Sequence, residues 1–378
     1  DFLRKANYFV TSAETGQGVA ELRDYLQMLP ELADTNKPFR YAIDRVFSVK
    51  GAGAVVTGTA FAGAVSVDDE LYLSSGQKVR VKAIHAQNTP SEQGLAGQRL
   101  ALNLNADLAR TPITRGDWLL QEEPLPPTDR LTVEIWAETA LNESQPVHVY
   151  HGAARTTGKL TLLKGKNVAK NDRTLAEIML DSPLFLAFDD RLILRSGDAK
   201  SLIAGARVLE INSPKRHKRT EARLTFLSHL AMAQNASQRL ALSLQHNAVA
   251  ARQLMWLEQL NAVQLDEMLF QCGAVRYQDW CFSADYAQEK TQQIVTALSL
   301  YHAQHNDQLG VSKARLYRMA ALNQPEKLIN HFIDDMLDNG SLQQTRGWLH
   351  LPEHKIEFSS EEQVRWADVL NEFEKADG

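Results

Sequence analysis

The sequence predicts a multidomain chain: the tail of an α/β domain, two small β-barrels, two α+β winged-helix units and the opening helix of a third. Three observations carry this reading. Glycines at 51, 53 and 58 interrupt a run of β-branched and small residues between Arg45 and Thr59. Short alternating strands then continue to Ile211, broken once by Pro124-Leu125-Pro126-Pro127. Beyond Pro214 the pattern changes to helices closed by pairs of short strands, and it does so twice.

The bulk properties are those of a folded protein. With 378 residues, 44% hydrophobic and 23% charged, the chain is long enough for two to four cores. No apolar run approaches the roughly 20 residues that span a bilayer, and no secretory leader pattern opens the chain. Cys272 and Cys281 make neither a disulfide framework nor a metal site, so a reducing, cytoplasmic setting is expected. A net charge of -5 excludes a wholly basic nucleic-acid coat but not local basic patches.

Taken in order, residues 6–10 read as one buried strand, followed by a loop and an amphipathic helix from 19 to about 29 with Leu22, Leu26 and Leu29 on one side. One strand and one helix cannot bury themselves, so residues 1–30 are expected to be the end of a larger α/β domain. A linker then leads into the first barrel, 38–122. Its glycine run needs a tight turn, because glycine alone takes positive φ without steric cost. The chain returns through 54–59, turns again at Ala62-Gly63, points Val65 and Val67 one way, and turns at Asp68-Asp69. The second barrel, 128–213, is predicted from strands at 131–136, 147–150, 159–163, 176–180, 191–195 and 206–211. A basic stretch with Lys215, Arg216, Lys218 and Arg219 leads to winged helices at 220–284 and 285–356, each expected to hold three helices and a hairpin. The last helix of the second unit carries Leu328, Phe332 and Met336 on one face and stops at Asn339-Gly340. Residues 357–378 read as the start of a third unit.

The ordered segments 45–70, 96–104 and 113–120 resemble the second domain of translational GTPases of the EF-Tu type, where the same glycine pattern precedes the second barrel strand. An α/β tail followed by two barrels repeats the domain order of that family. Winged helices after the third domain narrow the resemblance to the selenocysteine-specific elongation factors (SelB), over essentially all of the chain. The resemblance implies a factor that, when intact, binds GTP and magnesium and delivers selenocysteinyl-tRNA to UGA codons on the ribosome. It also implies recognition of an mRNA hairpin by the last winged helices. One departure matters. No G-x-x-x-x-G-K-[ST] loop, upstream Asp-x-x-Gly or Asn-Lys-x-Asp occurs in the chain. The expectation is therefore a middle fragment that needs no cofactor of its own, neither binds nor hydrolyses GTP alone, and lacks the hairpin-reading units. Two other readings are an EF-Tu-like GTPase serving a different tRNA, and a winged-helix regulator that binds DNA.

The resemblance also implies site residues. In the family a Ser-Ala step contacts the guanine ring, which points to Ser12 and Ala13. A selenol is a stronger acid than a thiol and is ionised at neutral pH, so a selective pocket should offer desolvated positive charge. The family holds the aminoacyl group against this barrel, which implies Asp44, Arg45, His85 and Arg115. The competing structural reading makes Asp44 and Arg45 an ion pair and has Arg115 cap the barrel. Arg155, Lys159, Lys164 and Lys166 are candidates for tRNA contact, or a solvated basic surface. Lys215, Arg216, Lys218 and Arg219 either track RNA phosphate or keep a linker soluble. His148 and His151, three apart in a strand, fall on opposite faces, so no metal site is expected there.

The third helices, 263–270 and 326–336, are net acidic and should repel phosphate, which makes both winged helices spacers. Replacing Lys313, Arg315 and Arg318 together with alanine is therefore expected to leave hairpin binding by the intact protein almost unchanged. A large loss of affinity in a salt-controlled binding assay would contradict this.

Overall fold

A computed structural model describes residues 6–29, 34–49, 53–320, 324–357 and 360–376. Gly51 and the first residues of the expected linker lie outside these. The chain divides into two compact units, Asp1–Pro124 with Gly152–Ala154, and Leu125–His151 with Arg155–Gly378.

In the first unit, residues 6–10 are extended but are not the buried strand expected: Tyr8 and Val10 are 76% and 83% exposed. A strand needs a ladder of paired N–H and C=O groups, and residues 6–10 carry no strand assignment. Phe9 instead packs on Tyr25 of helix α1 (Val19–Met28), ring centroids 5.0 Å apart. The barrel that follows is built from β1 (Arg40–Val49), β2 (Gly53–Ala62), β3 (Ala64–Ser66), β4 (Glu70–Leu73), β5 (Lys78–Ala86), β6 (Thr89–Ser91), β7 (Gln93–Leu95), β8 (Arg99–Leu104) and β9 (Trp118–Leu120). Seven of them run in the order β4-β9-β1-β2-β8-β5-β6, a β4–β5 pairing closes β4 through β5 into a ring with β6 beyond it, and β3 pairs with β7 separately. Tyr41, Ile43, Val56, Leu100 and Leu102 fill its interior. The turn after β2 must be glycine: at Gly63 φ is +73°, and a Cβ would stand 2.5 Å from the Lys37 carbonyl oxygen.

The second unit opens with β10 (Thr128–Ala137), β11 (Leu141–Asn142), β12 (Ser144–His151), β13 (Ala154–Leu162), β14 (Asn167–Val168), β15 (Arg173–Leu184), β16 (Arg191–Ser196) and β17 (Leu202–Ile211). Six of these close a barrel in the order β10-β15-β13-β12-β16-β17, which leaves no free edge. Each strand expected from the sequence lies in or overlaps one of the six. The first helical layer holds α2 (Glu221–Met232), α3 (Ala236–Leu244), β18 (Val249–Ala250), α4 (Ala251–Glu258), α5 (Ala262–Gln271), β19 (Ala274–Tyr277) and β20 (Trp280–Ser283). Four helices and a three-stranded sheet replace the three helices and hairpin expected. The additional break falls where Gln259 turns left-handed at φ 54° and Asn261 starts α5 with a capping box. This layer is fixed to the barrel: Trp256 donates from Nε1 to the Leu186 carbonyl at 2.8 Å, and the Arg239 guanidinium lies 4.1 Å over the Phe188 ring.

The second layer has α6 (Ala284–Gln304), α7 (Lys313–Met319), α8 (Glu326–Asp338), β21 (Gln343–Thr345) and β22 (Trp348–His350), and α9 (Ser360–Ala376) follows. Helix α8 ends as the sequence indicates, with Asn339 as C-cap and Gly340 at φ +79°. Tyr277 stacks on His331, centroids 3.7 Å apart, which ties the first hairpin to α8. Behind α6, the His302 ring stacks on His354 at 3.6 Å and its Nε2 accepts from the Leu351 N–H at 3.3 Å. Burial, with His354 and His350 alongside, pushes the His302 pKa down from 6.5 to about 4.

A histidine held neutral contributes stability above its unfolded pKa and loses it as the pH falls through the folded value. The layer 284–357 is therefore expected to lose stability between pH 6.5 and about 4. Replacing His302 with asparagine should flatten that slope in amide hydrogen exchange, and an unchanged slope would contradict the assignment.

Candidate functional site on the first barrel

The site begins with a break in strand parity. Register in the β1–β2 pair runs Ile43↔Gly58 and then Arg45↔Thr57, so Asp44 is an extra residue, a β-bulge. Inward positions are Tyr41 and Ile43, then Val46. Asp44 and Arg45 consequently both lie on the outer side, where strict alternation would send one of them inward.

Neighbouring strands extend this position into a row. Arg45 pairs with Thr57, Thr57 with Ala101, and Ala101 with His85. The row thus crosses β1, β2, β8 and β5, and three strand spacings separate its ends by roughly 14 Å. Small Ala101 leaves the middle low. Between Thr57 and His85 lies an open depression of about 540 Å³ whose lining includes Gln87, Asn88 and Arg99. Gln87 and Asn88 form the tight β5–β6 turn, with φ of 53° and 64°.

Asp44 does not pair with Arg45 as the structural reading held. Its carboxylate is held by both terminal nitrogens of Arg99, Nη1 on Oδ2 and Nη2 on Oδ1 at 3.0 Å, and accepts from Thr57 Oγ1 at 2.9 Å. The hydrogen bonds from Arg99 hold the Asp44 carboxyl below the usual carboxylate range, against the opposing effect of burial, with Thr57 and Arg45 adding to the lowering. The same pairing raises the Arg99 pKa. Arg99 nevertheless keeps 55% of its side chain exposed. A guanidinium has five donors, so this one retains capacity for a second acceptor. Together these groups provide fixed positive charge, an imidazole and two amides around one shallow basin, suited to a small anionic or polar group.

The other candidates are dispersed. Arg115 does not join the row; it sits before β9 and donates from Nε to the Ala153 carbonyl at 3.3 Å. Ser12 and Ala13 form a turn closed on itself, Ser12 Oγ accepting from Thr15 N–H at 3.2 Å and its carbonyl from Gly16 N–H at 2.9 Å. Arg155 donates to His148 Nδ1 at 3.3 Å, while Lys159, Lys164 and Lys166 are exposed. His151 is buried with Nε2 at 3.2 Å from Asp190. Lys215 and Arg216 are exposed, but Lys218 is bonded to buried Glu177 at 2.6 Å and Arg219 to Glu143 at 2.9 Å. Half of the basic stretch thus fastens it to the second barrel. Lys313 is paired with Asp334, and Arg315 covers the Tyr301 ring at 4.8 Å. Among the described residues no group of three or more His, Cys, Asp or Glu is placed to hold a metal ion, and no helix is long and apolar enough to cross a membrane.

Comparison with known proteins adds a family context. Residues 128–215 match the family described as the selenocysteine-specific elongation factor β-barrel domain, and residues 295–351 the elongation factor SelB winged helix. The selenocysteine-specific elongation factor of Haemophilus influenzae is 79% identical over 377 residues, covering 100% of this chain and 61% of the relative. That of Escherichia coli is 42% identical, covering 96% and 58%. In structure, bacterial selenocysteine-specific elongation factor EF-Sec aligns over 93% of this chain and 57% of its own, with a TM-score of 0.68 at 20% identity, a likeness of fold. The chain spans about three-fifths of the length of these curated relatives. That share decides nothing about where the natural chain begins or ends, so the expected middle fragment is not established by it.

Asp44 should contribute stability at neutral pH that is lost as the pH falls below the ordinary carboxylate range and through its depressed value. Arg99→Ala is expected to raise the Asp44 titration midpoint markedly, and Arg45→Ala to raise it less, in carbon-13 NMR of the carboxyl. The reverse order would contradict the pairing.

Proposed function

The chain belongs to the selenocysteine-specific elongation factor family, and from that premise we propose that the outer face of the first barrel receives the aminoacyl end of selenocysteinyl-tRNA. The whole factor would then deliver that tRNA to UGA codons on the ribosome, in the cytoplasm, under control of GTP and magnesium. The observation that carries this reading is the Arg45–Thr57–Ala101–His85 row with Arg99 clamped to Asp44 beside it. Selenocysteine presents a selenolate where serine presents a neutral hydroxyl. Two guanidiniums on one face distinguish them by charge, and Asp44 keeps one of those guanidiniums in place.

The remaining assignments follow from the same premise. Residues 1–30 would be the end of a GTPase domain, with Ser12 and Ala13 near the guanine ring. The turn they form contains no phosphate cradle, so no nucleotide step is assigned to the residues present. Boundaries at 38–122, 128–213, 220–284 and 285–356, with 357–378 opening a third winged helix, would separate tRNA-holding barrels from a helical arm that reaches toward an mRNA hairpin. Arg155, Lys159, Lys164 and Lys166 would meet the tRNA backbone. Exposed Lys215 and Arg216 remain available to phosphate, whereas Lys218 and Arg219 serve as tethers.

The test is affinity of the full-length GTP-bound factor for selenocysteinyl-tRNA and for the same tRNA charged with serine. A charge-assisted hydrogen bond contributes about 1.5–3 kcal/mol, so Arg99→Ala should cut the selenium preference roughly 10- to 100-fold and leave the serine form unaffected. Equal affinities in the unaltered factor would sink the selenocysteine assignment.

A further inference from the structure

Directly beneath the row lies Tyr41, fully buried in the barrel core. Its hydroxyl donates to the Leu100 carbonyl oxygen at 2.9 Å and lies 3.4 Å from the Val56 carbonyl oxygen. Those carbonyls belong to the residues next to Arg99 and Thr57, the two side chains that hold Asp44. One phenol from β1 thus bridges β2 and β8 at the point where they present the partners of the carboxylate. The surrounding core is apolar, with the Phe39 ring stacked on Tyr41 at 6.0 Å, and leucine or phenylalanine would fill much of the same space. A buried hydroxyl costs stability unless it is bonded, so its presence here calls for the carbonyls it reaches. Burial, with the Asp44 charge adding, raises the Tyr41 pKa far above the ordinary tyrosine range, so the group stays a donor at every working pH.

The third glycine of the sequence run fits the same arrangement. A Cβ on Gly58 would stand 3.0 Å from Tyr41 Cζ and 2.0 Å from the Ala42 carbonyl oxygen. Gly58 lies within β2, paired with Ile43 at the edge of the bulge. Its role is therefore close approach, not a turn: it lets β2 lie flat over the phenol.

We propose that Tyr41, admitted by Gly58, is a positioning residue for the outer site, fixing the spacing of β2 and β8 so that Thr57 and Arg99 converge on the Asp44 carboxylate. It touches no substrate and acts through Arg99 and Thr57. Its bearing on aminoacyl selection rests on the function proposed above, whereas its bearing on Asp44 does not.

The test uses Tyr41→Phe, which removes one oxygen and keeps the ring, with the amide NMR spectrum of the 378-residue chain reporting retention of the fold. The Asp44 carboxyl midpoint is expected to rise in Tyr41→Phe, part of the way toward its value in Arg99→Ala. The double variant should raise it no further than Arg99→Ala alone, the signature of action through Arg99. Full-length factor carrying Tyr41→Phe should lose about two- to tenfold of its preference for selenocysteinyl- over seryl-tRNA. An Asp44 midpoint unchanged from the unaltered chain, with thermal stability lowered or not, would overturn the proposal and leave Tyr41 a core side chain. A raised midpoint with the tRNA preference intact would uphold the positioning role and refute the aminoacyl pocket instead.

Discussion

The β-bulge at Asp44 is the constraint on which the outer site depends. Without the extra residue, strand alternation would put Asp44 and Arg45 on opposite faces, and one charge would be driven into the apolar interior of the barrel. With it, Tyr41 and Ile43 remain in the core, Val46 rejoins them, and two adjacent charges stand outside together. Register then does the rest, because each strand's position fixes its neighbour's and Arg45, Thr57, Ala101 and His85 fall in line. The geometry is inherited from backbone pairing, which a side-chain substitution on the outer face does not disturb. The outer side chains can therefore change while the barrel persists.

The second unit uses charge for a different purpose. Glu177, buried on β15, receives Arg130 at 3.1 Å and Lys218 at 2.6 Å. An isolated carboxylate in that position would be costly, and two cations offset the cost. The basic stretch after the second barrel is held down by this contact and by Arg219 on Glu143 and the Leu162 carbonyl. With Trp256 and Arg239 anchoring the first helical layer to the barrel, the path from β17 into the helices is fixed by side chains, not left as a free linker. Lys313 and Arg315 are likewise engaged, with Asp334 and with the Tyr301 ring, so these two cations of α7 are already partnered within the layer.

Much of this organisation was legible in the sequence because it rests on local signals. The six strands of the second barrel alternate clearly, and α8 carries both its apolar face and its glycine stop. Asp44, Arg45 and His85 were named through the family pattern around them, and strand register puts Arg45 and His85 in one row with Asp44 beside it. Arg99 was missed, although it lies in the segment 96–104, because its partner is 55 positions away and is brought near only by strand pairing. Residues 6–10 misled for the opposite reason: their apolar composition reads as a strand, but strand formation requires a partner that composition does not reveal. The additional break between α4 and α5 hinged on a left-handed Gln259, a residue with no special preference for that conformation. The tethering of Lys218 and Arg219 was hidden likewise, since a charge run looks the same whether it is solvated or clamped.

Recognition of selenium by charge on the outer face of the first barrel is the proposal from which the rest follows. Its most direct test is a structure of the full-length factor bound to GTP and selenocysteinyl-tRNA, with the selenium located by its anomalous scattering. The selenium peak is expected on the Arg45–His85 row, in ion-pair contact with Arg99 or Arg45. A peak away from that row, with both guanidiniums facing solvent, would contradict it.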